Sequence, residues 1–574
     1  MSAVSQSSLV EYNRQIARWT RLSGSVEERN AADYAAEQLR AAGYETRIVT
    51  HDAYISLPGA ASLAVTHPAP RDVFCITHSM GRSTQAAGVA ADLVDVGKGR
   101  PEDYARAGFS YMVARGGSAG TAGKIALVDD LATPEQAVLG SRLGVAGLVF
   151  VSGRHAHEMC VSPVWGNPAP STAGTLPAIP MVSVHQADGQ ALRRLCAEGR
   201  TAVRFAAEVR TGWTSTPIVL ADLDAGHAAA EPEMFVLFSG HLDGWHLGAM
   251  DNGSANATTL EVARVLAERR AAWRRGLRAA MWSGHSHGRY SSSAWYADNH
   301  WSDLAEHCVA HVNIDSVGGA GADRFVTNSM PQTSALGAWA VREVAGAALA
   351  PKRVGRDSDQ SFLGIGIPSL FGSLSHQEDG SLGWWWHTPH DTLDKIDPER
   401  LVRDARIFEL ALDRLLTDPI LPLDYAAAAA DLNRQLRAIA REAGPSFDLA
   451  PAVSAAGRLE ELCGRLAQAA AQATPSSGAA PAAKRARVIN ECYRLLGRTL
   501  IPATYTVAGR YAHDPALDNE FLPRLAGARR LAALPPDGEE AKFLRVDLVR
   551  GRNAVLDAVQ TACRIVEDCL GSVS

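Results

Sequence analysis

The chain has 574 residues, 47% hydrophobic and 21% charged, with a formal net charge of −6. That length exceeds what one core supports and predicts three or four domains. The mild acidity, without a long basic run, argues against nucleic acid as a partner, and no apolar run approaches the roughly 20 residues needed to span a bilayer.

The opening residues lack the basic-then-apolar pattern of an export signal, so the cytoplasm is the expected location. Residues 26–43 carry apolar positions at helical spacing, with Gly43 as the stop. The following stretch, YETRIVTHDAYISL, alternates like a strand. From about Asp72 to Val209 the runs DLVDV, KIALV, GLVFV and PMVSV are short, apolar and punctuated by glycine and proline. One helical segment, TPEQAVLGSRLGVAG, interrupts them. This reads as a small mixed α/β domain inserted into a larger one.

After Glu233, continuous apolar strands (MFVLFSG, LRAAMWSG, HCVAHVNID, GIPSLFGSL) alternate with helical patterns. That pattern predicts an α/β fold with a mixed, mostly parallel sheet covered on both faces. Beyond about Thr417 the sequence is alanine- and leucine-rich with helical periodicity, broken at Ala469–Arg487 by a low-complexity stretch expected to be a flexible loop. The expected division is 1–55 with 216–416, an inserted unit at 56–215, and a helical unit at 417–574. The eight cysteines show no C-x-x-C spacing and are expected to be reduced.

Ligands in covered α/β sheets gather at the carboxyl ends of strands, and there the chain places His241, His285 and Asp315. His241 and Asp243 form H-x-D; a neutral imidazole binds zinc well, and a carboxylate two residues on can accept its other N–H. Asp251 lies in the turn MDNGSAN, positioned to bridge two ions, and His387 follows a run of three tryptophans in GWWWHTPHDTLDKID. Each alone is weak evidence. Together, in this order, they are specific.

The series SGHLDGWHLGAMDNGSANA, VNIDSVGG, GIGIPSLF and WHTPHDTLDKID resembles the M28 metallopeptidases, aminopeptidases and glutamate carboxypeptidases with two zinc ions on a phosphorylase/hydrolase-like α/β fold. The inserted segment looks like their protease-associated domain. The tail is similar to the dimerisation domain of the glutamate carboxypeptidase and transferrin receptor branch, which implies a homodimer. The resemblance implies that His241, Asp251 and Asp315 hold one metal and that Asp251 bridges to a second held also by His387. It also implies a cis Asp251–Asn252 peptide.

The departure is at the family's paired glutamates. The general base aligns with His285, and the second-metal ligand aligns with Ser286, a poor ligand because its hydroxyl is not ionised near neutral pH. A family S-D-H segment reads Ser358-Asp359-Gln360. The first site keeps three ligands and an open position, so the expectation is one tightly bound ion, zinc with manganese or iron as alternatives, and a weaker second. His285 is left as general base, as replacement ligand, or as a bystander in a dead site. His287 is an additional ligand or a support to one. His246 and His390 read as solvated or capping residues. Trp386 is expected to wall the substrate pocket, and Arg289, where relatives have an apolar residue, is the candidate contact for a substrate carboxylate. No phosphate-cradling glycine loop is present, so no organic cofactor is expected.

Three functions follow: a metal-dependent hydrolase of an amide or peptide C–N bond, peptide-like or small-molecule, with His285 and Asp243 as its catalytic pair; a metal-dependent C–N lyase; and a non-catalytic scaffold.

Overall fold

The computed structural model describes residues 3–109, 123–226, 229–473 and 480–573. The strands are β1 (Glu45–His67), β2 (Arg71–Val73), β3 (Ile76–Thr77), β4 (Val89–Asp95), β5 (Ile125–Val128), β6 (Gly147–Val151), β7 (Met181–Val184), β8 (Ala202–Leu223), β9 (Phe235–His241), β10 (Gly276–Trp282), β11 (Cys308–Asp315), β12 (Arg324–Ser329), β13 (Ala350–Arg353), β14 (Ser369–Ser373) and β15 (Ser375–His376). Hydrogen bonding joins most of them in the order β13-β12-β14-β11-β9-β10-β8-β4-β5-β6-β7-β3.

Two features explain this order. The strands β10, β9, β11 and β14 are parallel neighbours, so their carboxyl ends lie along one edge. The second feature is an antiparallel ribbon of β1 and β8, 23 and 22 residues long. At one end β8 pairs with β10, and at the other with β4. The expected boundaries at 55/56 and 215/216 fall inside this ribbon, where Ile55 pairs with Gly212. The passage from one sheet region to the other therefore occurs within paired strands and not in loops.

The apolar runs are continuous because both faces of the central strands are covered. Side chains alternate along β9: Val236 and Phe238 join one buried cluster with Leu260 and Phe408, whereas Leu237 joins another with Trp282, Tyr296 and Phe362. Separate clusters built on β5, β6 and β7 form the core beyond the ribbon.

The C-terminal part is helical, with long helices at Tyr425–Ala443, Ala450–Ala473, Ala480–Tyr505 and Glu539–Val573. The stretch Ala469–Arg487 is not the expected loop over most of its length. Helix runs through Ala473 and resumes at Ala480; residues 474–479 lie outside the described residues. Alanine is the strongest helix former, and Pro481 sits in the first turn, where its missing N–H costs nothing. The opening residues, read only for the lack of an export signal, include a helix, Gln6–Ile16, whose N-cap Ser5 accepts a hydrogen bond from the Ser8 amide. Among the described residues no helix is long and apolar enough to cross a membrane.

Candidate metal centre

His241 and Asp315 are the last residues of the parallel strands β9 and β11, and His285 follows β10 by three residues. The shared carboxyl edge therefore brings together three side chains far apart in sequence. Asp251 arrives from the turn after β9. That turn is clamped by Arg21, fully buried, whose guanidinium donates to the carbonyl oxygens of Leu242, Leu247 and Gly248. Gly248 is required there: its φ is +49°, and a Cβ would lie 2.2 Å from the Asp251 carbonyl oxygen. The Asp251–Asn252 peptide is cis.

His241 Nε2 stands 3.1 Å from Asp251 Oδ1 and 3.4 Å from Asp315 Oδ1. The other Asp251 oxygen is 2.9 Å from His387 Nε2. His387 Nδ1 is paired with the Glu158 carbonyl at 2.6 Å, which leaves Nε2 to face Asp251. His241 Nε2 and Asp251 Oδ1 are buried without a hydrogen-bond partner.

This donor set fits a divalent cation. Two carboxylates and two imidazoles converge, two of their atoms (His241 Nε2 and Asp251 Oδ1) without a partner, and the carboxylates supply the charge a dication balances. The electrostatics agree. Burial works against a charged His241, yet Asp315, Asp243 and Asp251 hold its imidazole well above its ordinary value. Burial likewise opposes charge on Asp251, but His241 and His387 keep its carboxyl well below the usual range. His241, His285 and Asp315 also place a ligand atom each within 4.8 Å of one another.

His241 Nδ1 is paired with the backbone carbonyl of Asp243 at 2.8 Å, and the Asp243 carboxylate is 3.7 Å away. The tautomer is thus set by the main chain and not, as expected from H-x-D, by the carboxylate. The Asp243 carboxylate instead accepts from the backbone amides of His285 and Ser286 and from the Ser23 hydroxyl, pinning the loop after β10. It is fully buried and does not line the cavity, so it acts on His241 from behind.

His285 lies against His241, ring centroids 3.7 Å apart and 13° from parallel. Its Nδ1 is 3.0 Å from Asp359 Oδ2. Ser286 lines the cavity, and its hydroxyl is buried without a partner. His287 points elsewhere: its ring is buried beside Trp245, and its Nδ1 pairs with the Ser23 hydroxyl. His246 Nε2 is 3.7 Å from Glu158 Oε1, and His390 lies beside His155 on the surface.

A cavity of about 340 Å³ opens on these groups, walled by Trp245, Tyr290, Trp386 and Arg289. Of the three tryptophans, Trp386 stacks on His387 at 3.5 Å. Trp385 is core, its indole N–H on Met250 Sδ, and Trp384 is 40% exposed. Arg289 Nε is buried without a hydrogen-bond partner.

Sequence reasoning missed three supports. Asp391 accepts from the amides of Met250 and Asp251, and burial pushes its carboxyl up to about 7. It lies four residues past His387 in the same motif, a signal that was available. Asp359 stood in the altered Ser358-Asp359-Gln360 segment, but nothing there paired it with His285, 74 residues away; Glu158, 229 residues from His387, had no signal.

The sequence profile of peptidase family M28 matches residues 219–411, a span that runs from late β8 past His387 into the helix Pro398–Thr417. A probable glutamate carboxypeptidase of Zea mays is 26% identical over 505 residues, 74% of this chain and 69% of that protein. Carboxypeptidase Q of Xenopus laevis is 27% identical over 241 residues, and there the match spans about half of the relative (47%). Aminopeptidase YwaD of Bacillus subtilis is 24% identical over 392 residues, 66% of this chain and 78% of that one. Among solved structures, an aminopeptidase from Aneurinibacillus sp. strain AM-1 superposes with a TM-score of 0.55 at 21% identity, covering 72% of this chain and 94% of its own. A zinc aminopeptidase from Bacillus subtilis gives 0.54 at 20%, covering 72% and 96%. The solved structures share the fold derived above, and residues 219–411 of this chain carry a peptidase family M28 domain.

Proposed function

We propose that the protein is a metal-dependent hydrolase of an amide or peptide C–N bond, with His285 as its proton-handling group. His241, Asp251 and Asp315 hold the principal cation, zinc by preference, and His387 with Asp251 is left as a weaker second site. A cation there supplies Lewis acidity toward a substrate carbonyl and toward water.

The single observation that supports this assignment is the stacking of His285 on His241. The two ring planes are nearly parallel and about one ring thickness apart, so an ion in the plane of the His241 ring lies off the plane of His285. His285 therefore sits one ring thickness from the His241 ligand position. From there Nε2 takes a proton from the attacking water and returns it to the departing amine nitrogen. Trp386 and Trp245 wall the reacting centre, and Arg289 receives a substrate carboxylate. The substrate is peptide-like or a small amide.

The complete ligand set of the first site, His241, Asp251 and Asp315, and the family match favour hydrolysis over the lyase and scaffold readings. Turnover in ¹⁸O-labelled water tests this: hydrolysis places one labelled oxygen in the acid product, and product without label would overturn it.

The unit at 56–215 is read as a protease-associated domain and 417–574 as a helical dimerisation unit. Exposed Phe543, Val546 and Val549 on the last helix support a homodimer, which sedimentation tests. The unpaired cysteines support a reducing, cytoplasmic location.

A further inference from the structure

Behind His285 runs a buried chain of hydrogen bonds that ends outside the metal centre. Asp359 Oδ2 is 3.0 Å from His285 Nδ1, and Asp359 Oδ1 accepts from Ser293 Oγ at 2.8 Å. Ser293 Oγ is 2.9 Å from Ser361 Oγ, which accepts from the indole N–H of Trp165 at 2.9 Å. Trp165, Ser293, Asp359 and Ser361 are all buried.

Donor rules fix the direction of this chain. An indole N–H only donates, and an ionised carboxylate only accepts. With Trp165 donating to it, Ser361 turns its own proton to Ser293, and Ser293 turns its proton to Asp359. Asp359 then accepts at both oxygens, and the second donor is His285 Nδ1–H. The imidazole proton is thereby held on Nδ1, leaving the Nε2 lone pair for the cavity. Trp165 also lies against Tyr290, centroids 4.2 Å apart, and Tyr290 meets the His285 ring edge-on at 4.8 Å.

We infer that Asp359 is a positioning residue that fixes the tautomer and aim of His285, and that Trp165, contributed by the segment between β6 and β7, anchors the same chain. The site is then complete only when that segment is seated on the loop after β10. This rests on the reading of His285 as the proton-handling group. It assigns a partner to a histidine at the position where the family resemblance puts the general base.

The test is a double-mutant cycle on the metal-loaded protein, with kcat, KM and bound metal measured for Asp359→Asn, His285→Ala, the pair together, and Trp165→Phe. Asp359→Asn presents an amide N–H₂ or a weaker acceptor to Nδ1, and kcat should fall by about 10²-fold with KM and metal content unchanged. Added to His285→Ala it should cause no further loss. Trp165→Phe keeps the ring on Tyr290 but removes the donor; it should lower kcat severalfold in the parent and not at all in the His285→Ala background. Additive losses, a fall in bound metal, or parental kcat in Asp359→Asn beside a strong loss in His285→Ala would overturn the inference alone. Parental kcat in His285→Ala would overturn the proton-handling assignment and the inference with it.

Discussion

His285 lies flat on His241 with 3.7 Å between ring centroids, and this one contact bears on whether His285 handles protons or binds the ion. An ion in the plane of the His241 ring lies off the plane of His285, which favours proton handling over ligation although the His285 ligand atom is within 4.8 Å of those of His241 and Asp315.

The first prediction follows directly. His285→Ala leaves the ion at His241, Asp251 and Asp315 in place, and kcat drops by about 10²–10⁴-fold, the usual contribution of a positioned proton-transfer group. Elemental analysis beside steady-state kinetics decides it. Loss of one equivalent of metal would make His285 a ligand.

Metal removal should act on stability through the same residues. A cation that binds only the folded chain stabilises it by about 4 kcal/mol when present at 1,000 times its Kd. Chelation should therefore lower the unfolding temperature of the parent. It should do nothing to His241→Ala, which lacks the one imidazole facing both Asp251 and Asp315. Equal shifts in both proteins would place the stabilising ion elsewhere.

Arg289 carries its guanidinium at the cavity wall with Nε unpartnered. Replacing it by leucine should raise KM for substrates with a free carboxylate by about 10²-fold, the size of a charge-assisted hydrogen-bonded pair of roughly 3 kcal/mol. The corresponding carboxamides should be unaffected. If acid and amide substrates lose equally, Arg289 shapes the wall without reading charge.

The fold was legible because its determinants are local. Both-faces burial makes β9 and β11 unbroken apolar runs, and their last residues, His241 and Asp315, are where a covered parallel sheet puts chemistry. The resemblance added Asp251 and His387 to these two candidates, and the structure brings all four side chains together. What could not be read depends on side-chain direction across long separations. Asp243 looked like the partner of His241 from its spacing, yet its carboxylate turns to the loop after β10, and a carbonyl takes its place. Asp359 is 74 residues from His285, and no periodicity in the sequence links them. The helical tail was legible from its periodicity, but Ala469–Arg487 was not: its repeated alanine looks like low complexity, yet it is helical up to Ala473 and from Ala480 because alanine favours helix.

The last prediction concerns acid stability and a residue outside the site. His311 lies in β11 between β9 and β14, with Nε2 2.9 Å from Ser239 Oγ and Nδ1 3.4 Å from Ser369 Oγ. Burial pushes its pKa down to about 3, against about 6.5 in an unfolded chain. Between those values the unfolded chain binds the extra proton, so the folded state loses stability as pH falls from 6.5 toward 3 and has its full share above 6.5. From pH 7 to pH 5 this one group should cost about 2 kcal/mol. His311→Gln keeps hydrogen-bonding capacity between the two serines but cannot titrate. Its urea midpoint should therefore fall less than that of the parent between the two pH values, whatever its stability at pH 7. Parallel declines would show that His311 is protonated in the folded protein or that the strand opens before it titrates.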